Sequence, residues 1–251
     1  MTQTQELVHS PLRTISLITT SLICYFIGVA GLAAVILALG GIIPLGLIGS
    51  LNVTPGIACV INLGLLLLFG FQHSIMARKS FKRWLENYLP ASLERSLFVL
   101  ASGLVLLVLV GFWQPVGGVI WRAEGGLNLL LWIGFGFGWV YLLAATFAIN
   151  HFDLFGLRQA WLDAQGRAYT AIPFVEHWMY RFSRHPIMLG ALIGLWSLPE
   201  MTSSSLYLSV GLTVYIAVGL WFEERDLIHQ WGDRYRAYRQ RVGALITLPG
   251  R

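Results

Sequence analysis

Two adjacent carboxylates, Glu223 and Glu224, stand where the uncharged stretch 201–222 gives way to a charged tail. At the exit of an apolar helix such a pair suits an amino or hydroxyl-bearing ligand, or a cationic centre. A second cluster, Arg184-His185-Pro186-Ile187-Met188-Leu189-Gly190, opens another apolar run. Pro186 is suited to a first helical turn, where its missing N–H costs nothing. The free N–H groups of that turn, with the helix dipole, favour an anionic group such as a carboxylate. Beyond the carboxylates comes Gly232-Asp233-Arg234-Tyr235-Arg236-Ala237-Tyr238. Tyr235 and Tyr238 share one helical face, from which they could stack on a base or face a sulfonium through cation–π attraction. A third group consists of Phe71-Gln72-His73-Ser74 and Asn150-His151-Phe152-Asp153, each closing an apolar run. Unperturbed imidazoles titrate near neutrality, so His73 and His151 are candidate bases, with Asp153 available to orient or polarise a ring. His177 and His229 lack such company and read as surface residues, and His9 belongs to an N-terminal end expected to fray.

The elements that must position these groups are membrane helices. Of 251 residues, 56% are hydrophobic and only 12% charged, against about 25% charged in soluble domains. No Asp, Glu, Lys or Arg lies between Arg13 and Arg78, nor within 96–121, 125–152 or 201–222. A spanning helix needs about 20 apolar residues, so each gap holds one helix and the first holds two. The expected fold is all-α: a polytopic transmembrane bundle of five to six membrane helices with a helical C-terminal tail. The segments are 15–43, 56–73, 96–113, 127–149, 187–199 and 205–221. The last two form a hairpin broken by PEMTSSS, and 187–199 is short for a full crossing. The whole chain, 1–251, reads as one membrane domain, with 15–150 as its N-terminal helices.

With six crossings, 16 of the 17 basic residues fall on one side and only Arg122 on the other. By the positive-inside rule that side is the cytoplasm, where both termini and the three clusters are expected. The topology also accounts for the net charge of +5, so no nucleic-acid partner is expected. Cys24 and Cys59 sit in apolar runs as small hydrophobes, and no CxxC or Cys/His zinc spacing predicts a metal. Gly134 with Gly138, and Gly190 with Gly194, have the small-xxx-small spacing that lets helices in lipid approach closely. The string GFGFG has no strand before it, so it is no dinucleotide fingerprint.

Arg184-His185-Pro186 with Gly190, a hairpin, Glu223-Glu224 with Leu227, then Gly232, Tyr235, Tyr238, Val242 and Pro249 resemble the C-terminal half of the isoprenylcysteine carboxyl methyltransferase family. The resemblance covers 181–249 and implies an S-adenosylmethionine site between hairpin and tail. Carried over by position, its residues are Arg184, His185, Pro186, Gly190, Glu223, Glu224, Tyr235 and Tyr238. Met188 stands where that family usually has Tyr. With the His73 and Asn150-His151 segments, Pro90 and Glu94-Arg95, the chain looks like the methanethiol S-methyltransferase branch of the same superfamily. That implies a bacterial inner-membrane enzyme with a cytoplasmic-facing site, which transfers a methyl group to a small volatile thiol, methanethiol, giving dimethyl sulfide.

The chemistry is consistent with the residues. In-line displacement at a sulfonium carbon depends on positioning, and the acceptor must be a thiolate. A thiol near the Cys value of about 8.5 is only a few per cent ionised at pH 7, so a base contributes about 10²–10⁴. His73 and His151, with Asp153, are the candidates. Trp139, Phe147, Phe152, Phe155 and Trp178 could wall a small apolar pocket. A prenylated cysteine carboxylate or another lipophilic acceptor would use the same tail without needing a base. Of a different class is a haem-binding redox protein with His73 and His151 as axial ligands. A transporter is disfavoured, because no charge lies within a helix and no inverted repeat is visible.

Overall fold

The computed structural model of the chain describes residues 10–247, and His9 and Pro249 lie outside the described residues. Helix α1 (Pro11–Leu39) starts at Ser10, whose hydroxyl accepts from the Arg13 backbone N–H, with Pro11 in its first turn. Helix α2 spans Pro55–Met76, and a short amphipathic α3 (Lys79–Leu85) follows. A 3-10 turn at Ala91–Leu93 leads into α4 (Glu94–Phe112), and α5 spans Gly125–Ile149. Two short helices, α6 (His151–Leu154) and α7 (Leu157–Ala164), cap this end of the bundle. Helix α8 (Pro186–Trp196), α9 (Ser203–Trp231) and α10 (Asp233–Arg241) complete the chain.

Five of these segments are long and apolar enough to cross a membrane: α1, α2, α4 with its leading turn, α5 and α9. The protein is an integral membrane protein with an all-α bundle. Helix α8 has only 11 residues, or about 16 Å at 1.5 Å per residue, half of a hydrocarbon core of about 30 Å. The hairpin therefore has one short arm, as its sequence suggests.

Two features depart from the sequence reading. The last spanning helix does not stop at Trp221 but runs unbroken to Trp231. Glu223-Glu224-Arg225-Asp226 change the surrounding solvent without breaking the backbone pattern. The stop is Gly232, whose φ of +55° takes the chain out of the helix. The second is a two-stranded antiparallel ribbon, β1 (Val119–Arg122) with β2 (Glu200–Thr202), which ties the α4–α5 and α8–α9 connections together. Strands this short leave no periodic signature.

The core at the ribbon end contains Trp113, Leu109, Leu195, Leu198, Met201 and Leu208. A buried polar clasp sits beside it. Asn62 donates to the Gln114 carbonyl at 2.7 Å and accepts from its N–H at 2.8 Å. The Gln114 side chain also serves Gly49, Leu51 and Phe112.

The glycine pairs read from the sequence face one another. A Cβ on Gly138 would lie 2.4 Å from the Gly194 backbone, and one on Gly190 would lie 2.6 Å from that of Leu142. Helices α5 and α8 thus pack backbone to backbone. Helices α2 and α9 run side by side in the same direction, with Leu66 near Gly211 and Gly70 near Tyr215. These pairings bring the ends of α2, α5 and α9 and the starts of α4 and α8 to one end of the bundle, opposite the ribbon.

Candidate functional site

Helix α8 begins immediately after Arg184-His185, and α9 carries Glu223 and Glu224 two turns before its end. The tail then folds back. Arg184 and His185 donate their backbone N–H groups to the carbonyls of Gly243 and Ala244, both at 3.0 Å. Ser183, with its hydroxyl donating to Ala244, reinforces the same strap.

Glu224 is the hub of this clamp. Its Oε1 accepts from Arg184 Nε at 2.8 Å, His185 Nε2 at 2.9 Å and the Tyr235 hydroxyl at 2.8 Å. Its Oε2 lies 3.3 Å from Arg239 Nε. His185 Nδ1 meets Glu223 Oε2 at 3.4 Å. Arg184 also donates to the carbonyls of Val242 and Arg239. The Arg184 and His185 side chains are only 8% and 3% exposed, whereas Glu223 is 45% exposed. The clamp thus holds one carboxylate internally and leaves the other partly open.

Burial alone would lower the His185 pKa, but hydrogen bonds to Glu223 and Glu224, aided by their charges, raise it to about 9. The ring is therefore an imidazolium at neutral pH, donating from both nitrogens. A raised folded-state pKa stabilises fully below the unfolded value of about 6.5 and loses that contribution as pH rises through about 9. The midpoint of thermal unfolding is expected to decline between those values. His185→Gln is expected to be less stable at pH 6 and to remove that decline, as differential scanning fluorimetry on the solubilised protein would register.

Tyr235 and Tyr238, 1% and 2% exposed, are packed with Val242 against Phe174, Leu227, Ile228 and Trp231. Their rings hold the tail, and their hydroxyls reach Glu224 and the Tyr180 carbonyl. Pro186 is buried at the first turn of α8, and Gly190 faces α5 rather than the clamp.

The histidines differ in their freedom. His151 is 3% exposed and stacks on Phe147 at 4.2 Å between ring centroids. Its Nδ1 is 2.8 Å from Thr146 Oγ1, and its Nε2 is 3.0 Å from the Tyr25 hydroxyl. Thr146 already donates to the Leu143 carbonyl, so Nδ1 carries the proton and Nε2 accepts from Tyr25. Burial lowers the His151 pKa and keeps the ring neutral. Neither nitrogen is left for an axial ligand or an outside proton. His73 has one ring partner, Ser102 Oγ, 3.1 Å from Nδ1. Its Nε2 makes no hydrogen bond among the described residues. The ring lies 4.6 Å from Phe98 and 6.0 Å from Tyr215.

Asp153 bonds neither imidazole. It pairs with Arg158 at 2.8 Å and accepts from the Tyr169 hydroxyl at 3.2 Å. Its backbone N–H is capped by Asn150. It lines a cavity of about 740 Å³ bounded by the α3–α4 and α5–α7 connections. Phe147, Phe152 and Trp178 are more than half exposed, and His177 and His229 lie at the surface. Among the described residues no three His, Cys, Asp or Glu side chains come together as a metal site.

Glu223 connects the two halves of this end. Its charge acts on His185 beside it, on Arg95, and on the Tyr180 and Tyr215 hydroxyls. Burial, followed by the Glu223 charge, holds the Tyr180 phenol above its usual range. Tyr25, Thr146, Ser102, Tyr180 and Arg239 join this end of the bundle from outside the sequence motifs. Only Arg239 has a local signal, four residues after Tyr235 on the same helical face. The others meet their partners through long-range packing.

The family profile described as NnrU protein matches residues 61–248. The chain is 48% identical over 198 residues to a methanethiol S-methyltransferase of Mycobacterium tuberculosis, covering 78% of this chain and 81% of that protein. It is 36% identical over 253 residues to one of Crocosphaera subtropica, covering 100% and 99%. Nurim of Sus scrofa is 31% identical over 198 residues, covering 75% and 73%. No solved structure matches the chain.

Proposed function

The chain belongs to the NnrU protein family, and from that premise we propose that it methylates methanethiol to dimethyl sulfide with S-adenosylmethionine as donor. The names of its relatives support the acceptor. One juxtaposition supports the mechanism: a charged clamp ending on the half-open Glu223, and His73 with a free ring nitrogen at the same end of the bundle. We place this end at the cytoplasmic face of a bacterial inner membrane, because 16 of 17 basic residues gather on that side.

The residues suit the donor. The first-turn N–H groups of α8 complement a carboxylate. Glu223, whose Oε1 has no partner among the described residues, complements an amine or hydroxyl. A ligand that is an amino acid at one end and a ribonucleoside at the other presents all of these groups. When bound, the donor supplies an electrophilic methyl carbon on a positively charged sulfur.

His73 acts as the base. Its Nδ1–H donates to Ser102 Oγ, which leaves the Nε2 lone pair to remove the S–H proton. The thiolate electron pair then forms the new S–C bond. The pair of the broken bond stays on the leaving sulfur as a neutral thioether. The proton remains on His73 until the product has left and water enters to take it. Phe69, Phe98 and Tyr215 around the ring exclude water and keep the acceptor small.

The test is headspace detection of dimethyl sulfide from the full-length protein in lipid, supplied with methanethiol and S-adenosylmethionine. One dimethyl sulfide per S-adenosylhomocysteine is expected. Cofactor binding without dimethyl sulfide would overturn the acceptor, and no cofactor binding would overturn the donor.

A further inference from the structure

The cavity of about 740 Å³ is lined by Arg95 together with Lys82, Glu94, Asp153, Asp163, Gln159 and Tyr169. Three of its carboxylates are already partnered. Asp153 pairs with Arg158, Asp163 with Arg13 and Glu94 with Lys82. Glu223, whose charge also reaches Arg95, faces His185. Arg95 itself has a different set of contacts. Its Nε donates to the Leu154 carbonyl at 2.7 Å, and its guanidinium carbon lies 4.9 Å above the Phe98 ring. No carboxylate pairs with it among the described residues, and its two terminal nitrogens make no hydrogen bond there. Gln159, on the same wall, has its side-chain oxygen buried without a partner.

A guanidinium held at its Nε, backed by an aromatic face and left with free terminal N–H groups, is a preorganised anion site. Phe98 touches both Arg95 and His73, so this positive charge lies one ring away from the base. Resting on the methyltransferase reading above, we infer that Arg95 binds the reacting sulfur, admitting the thiol from the cavity and stabilising the anion that His73 generates. The step it assists is the proton transfer from S–H to His73 Nε2, after which the negative sulfur is held until its electron pair forms the new bond. Arg95 is thus assigned as a substrate-binding residue, and the cavity as the thiol's polar approach.

The test compares wild type, Arg95→Lys and Arg95→Gln in lipid, reading dimethyl sulfide against pH and cofactor affinity by calorimetry. An opposite charge at contact range moves an acid's pKa by about 1–3 units. Arg95→Gln is expected to move the acid limb of kcat, which reports groups in the enzyme–substrate complex, up by about 1–2 pH units. Its rate at pH 7 falls about 10- to 100-fold and recovers on the alkaline side. Arg95→Lys keeps the wild-type limb, and all three bind cofactor alike. An unshifted limb in Arg95→Gln overturns the inference, and so does weakened cofactor binding, which would assign the charge to the donor's carboxylate. Thiocyanate inhibition of the wild type reads the same site without a substitution. Competition against methanethiol supports the anion site, and its absence overturns it. A wild type that binds the cofactor but makes no dimethyl sulfide refutes the methanethiol acceptor of the reading above instead.

Discussion

His73→Ala is expected to lower dimethyl sulfide formation at pH 7 by about 10²–10⁴ while leaving S-adenosylmethionine affinity within a few-fold of wild type. His73 approaches Ser102, Phe69, Phe98 and Tyr215, none of which belongs to the clamp around Glu224. Removing the imidazole therefore removes a proton acceptor without loosening the tail. The lost rate should return partly as pH rises and the thiol ionises unaided. His151→Ala should fail in a different way. That ring is sealed between Thr146, Tyr25 and Phe147, and its loss strands the Tyr25 hydroxyl and leaves a cavity. Large core truncations cost about 2–5 kcal/mol, so reduced yield and a lower melting point are expected. Activity per folded molecule should change far less than in His73→Ala. Initial rates normalised to folded protein separate the two. Equal rates for His73→Ala and wild type at pH 7 would remove His73 as the base.

The second large effect is expected at Glu224. Its Oε1 accepts three hydrogen bonds, from Arg184, His185 and Tyr235. Glu224→Ala leaves the nearly buried Arg184 guanidinium and His185 imidazolium facing each other without their common counter-ion. Removing one partner of a buried ion pair costs about 3–5 kcal/mol. The strap at 243–247 is expected to come away from 182–185, and cofactor affinity to fall by at least about 100-fold. Glu224→Gln keeps one acceptor oxygen and should lie between. Glu223→Gln, at a half-exposed position beside the clamp, should cost cofactor affinity with little loss of stability. Limited proteolysis of the tail and calorimetric titration distinguish these outcomes. A tail as protected in Glu224→Ala as in wild type would contradict the hub assignment.

The architecture was readable because charge is so scarce in this chain. The gaps between Arg13 and Arg78, and on either side of Arg122, mark helices that lipid requires to satisfy their own backbones. Close helix approach at Gly138, Gly190 and Gly194 was legible for a related reason, since small residues at that spacing have few other uses in lipid, but that these glycines face one another was not. The end of α9 was misplaced because Glu223 marks a change of solvent, and only Gly232 marks a change of backbone. The clamp residues were legible as a set, but their division of labour was not. Tyr235 and Tyr238 read as aromatic faces for a ligand, yet their rings are consumed in packing and their hydroxyls do the reaching. Nothing local to His151 announces Tyr25, 126 residues away, and nothing near His73 announces Ser102. The choice between two similar imidazoles therefore depends on tertiary contacts.

The unbroken α9 has a consequence for where the chemistry sits. Glu224 lies about 32 Å along the helix axis from Ser203, close to the thickness of a hydrocarbon core. A single rigid rod therefore sets the depth of the carboxylates, with no hinge between the lipid-embedded part and the site. The site is held at the border of two phases, and its reactants and products divide accordingly. In the proposed reaction, charged donor and spent thioether nucleoside exchange with water, whereas a small uncharged sulfide dissolves in acyl chains. Each product has a phase of its own to leave by, so neither needs to pass the other on the way out.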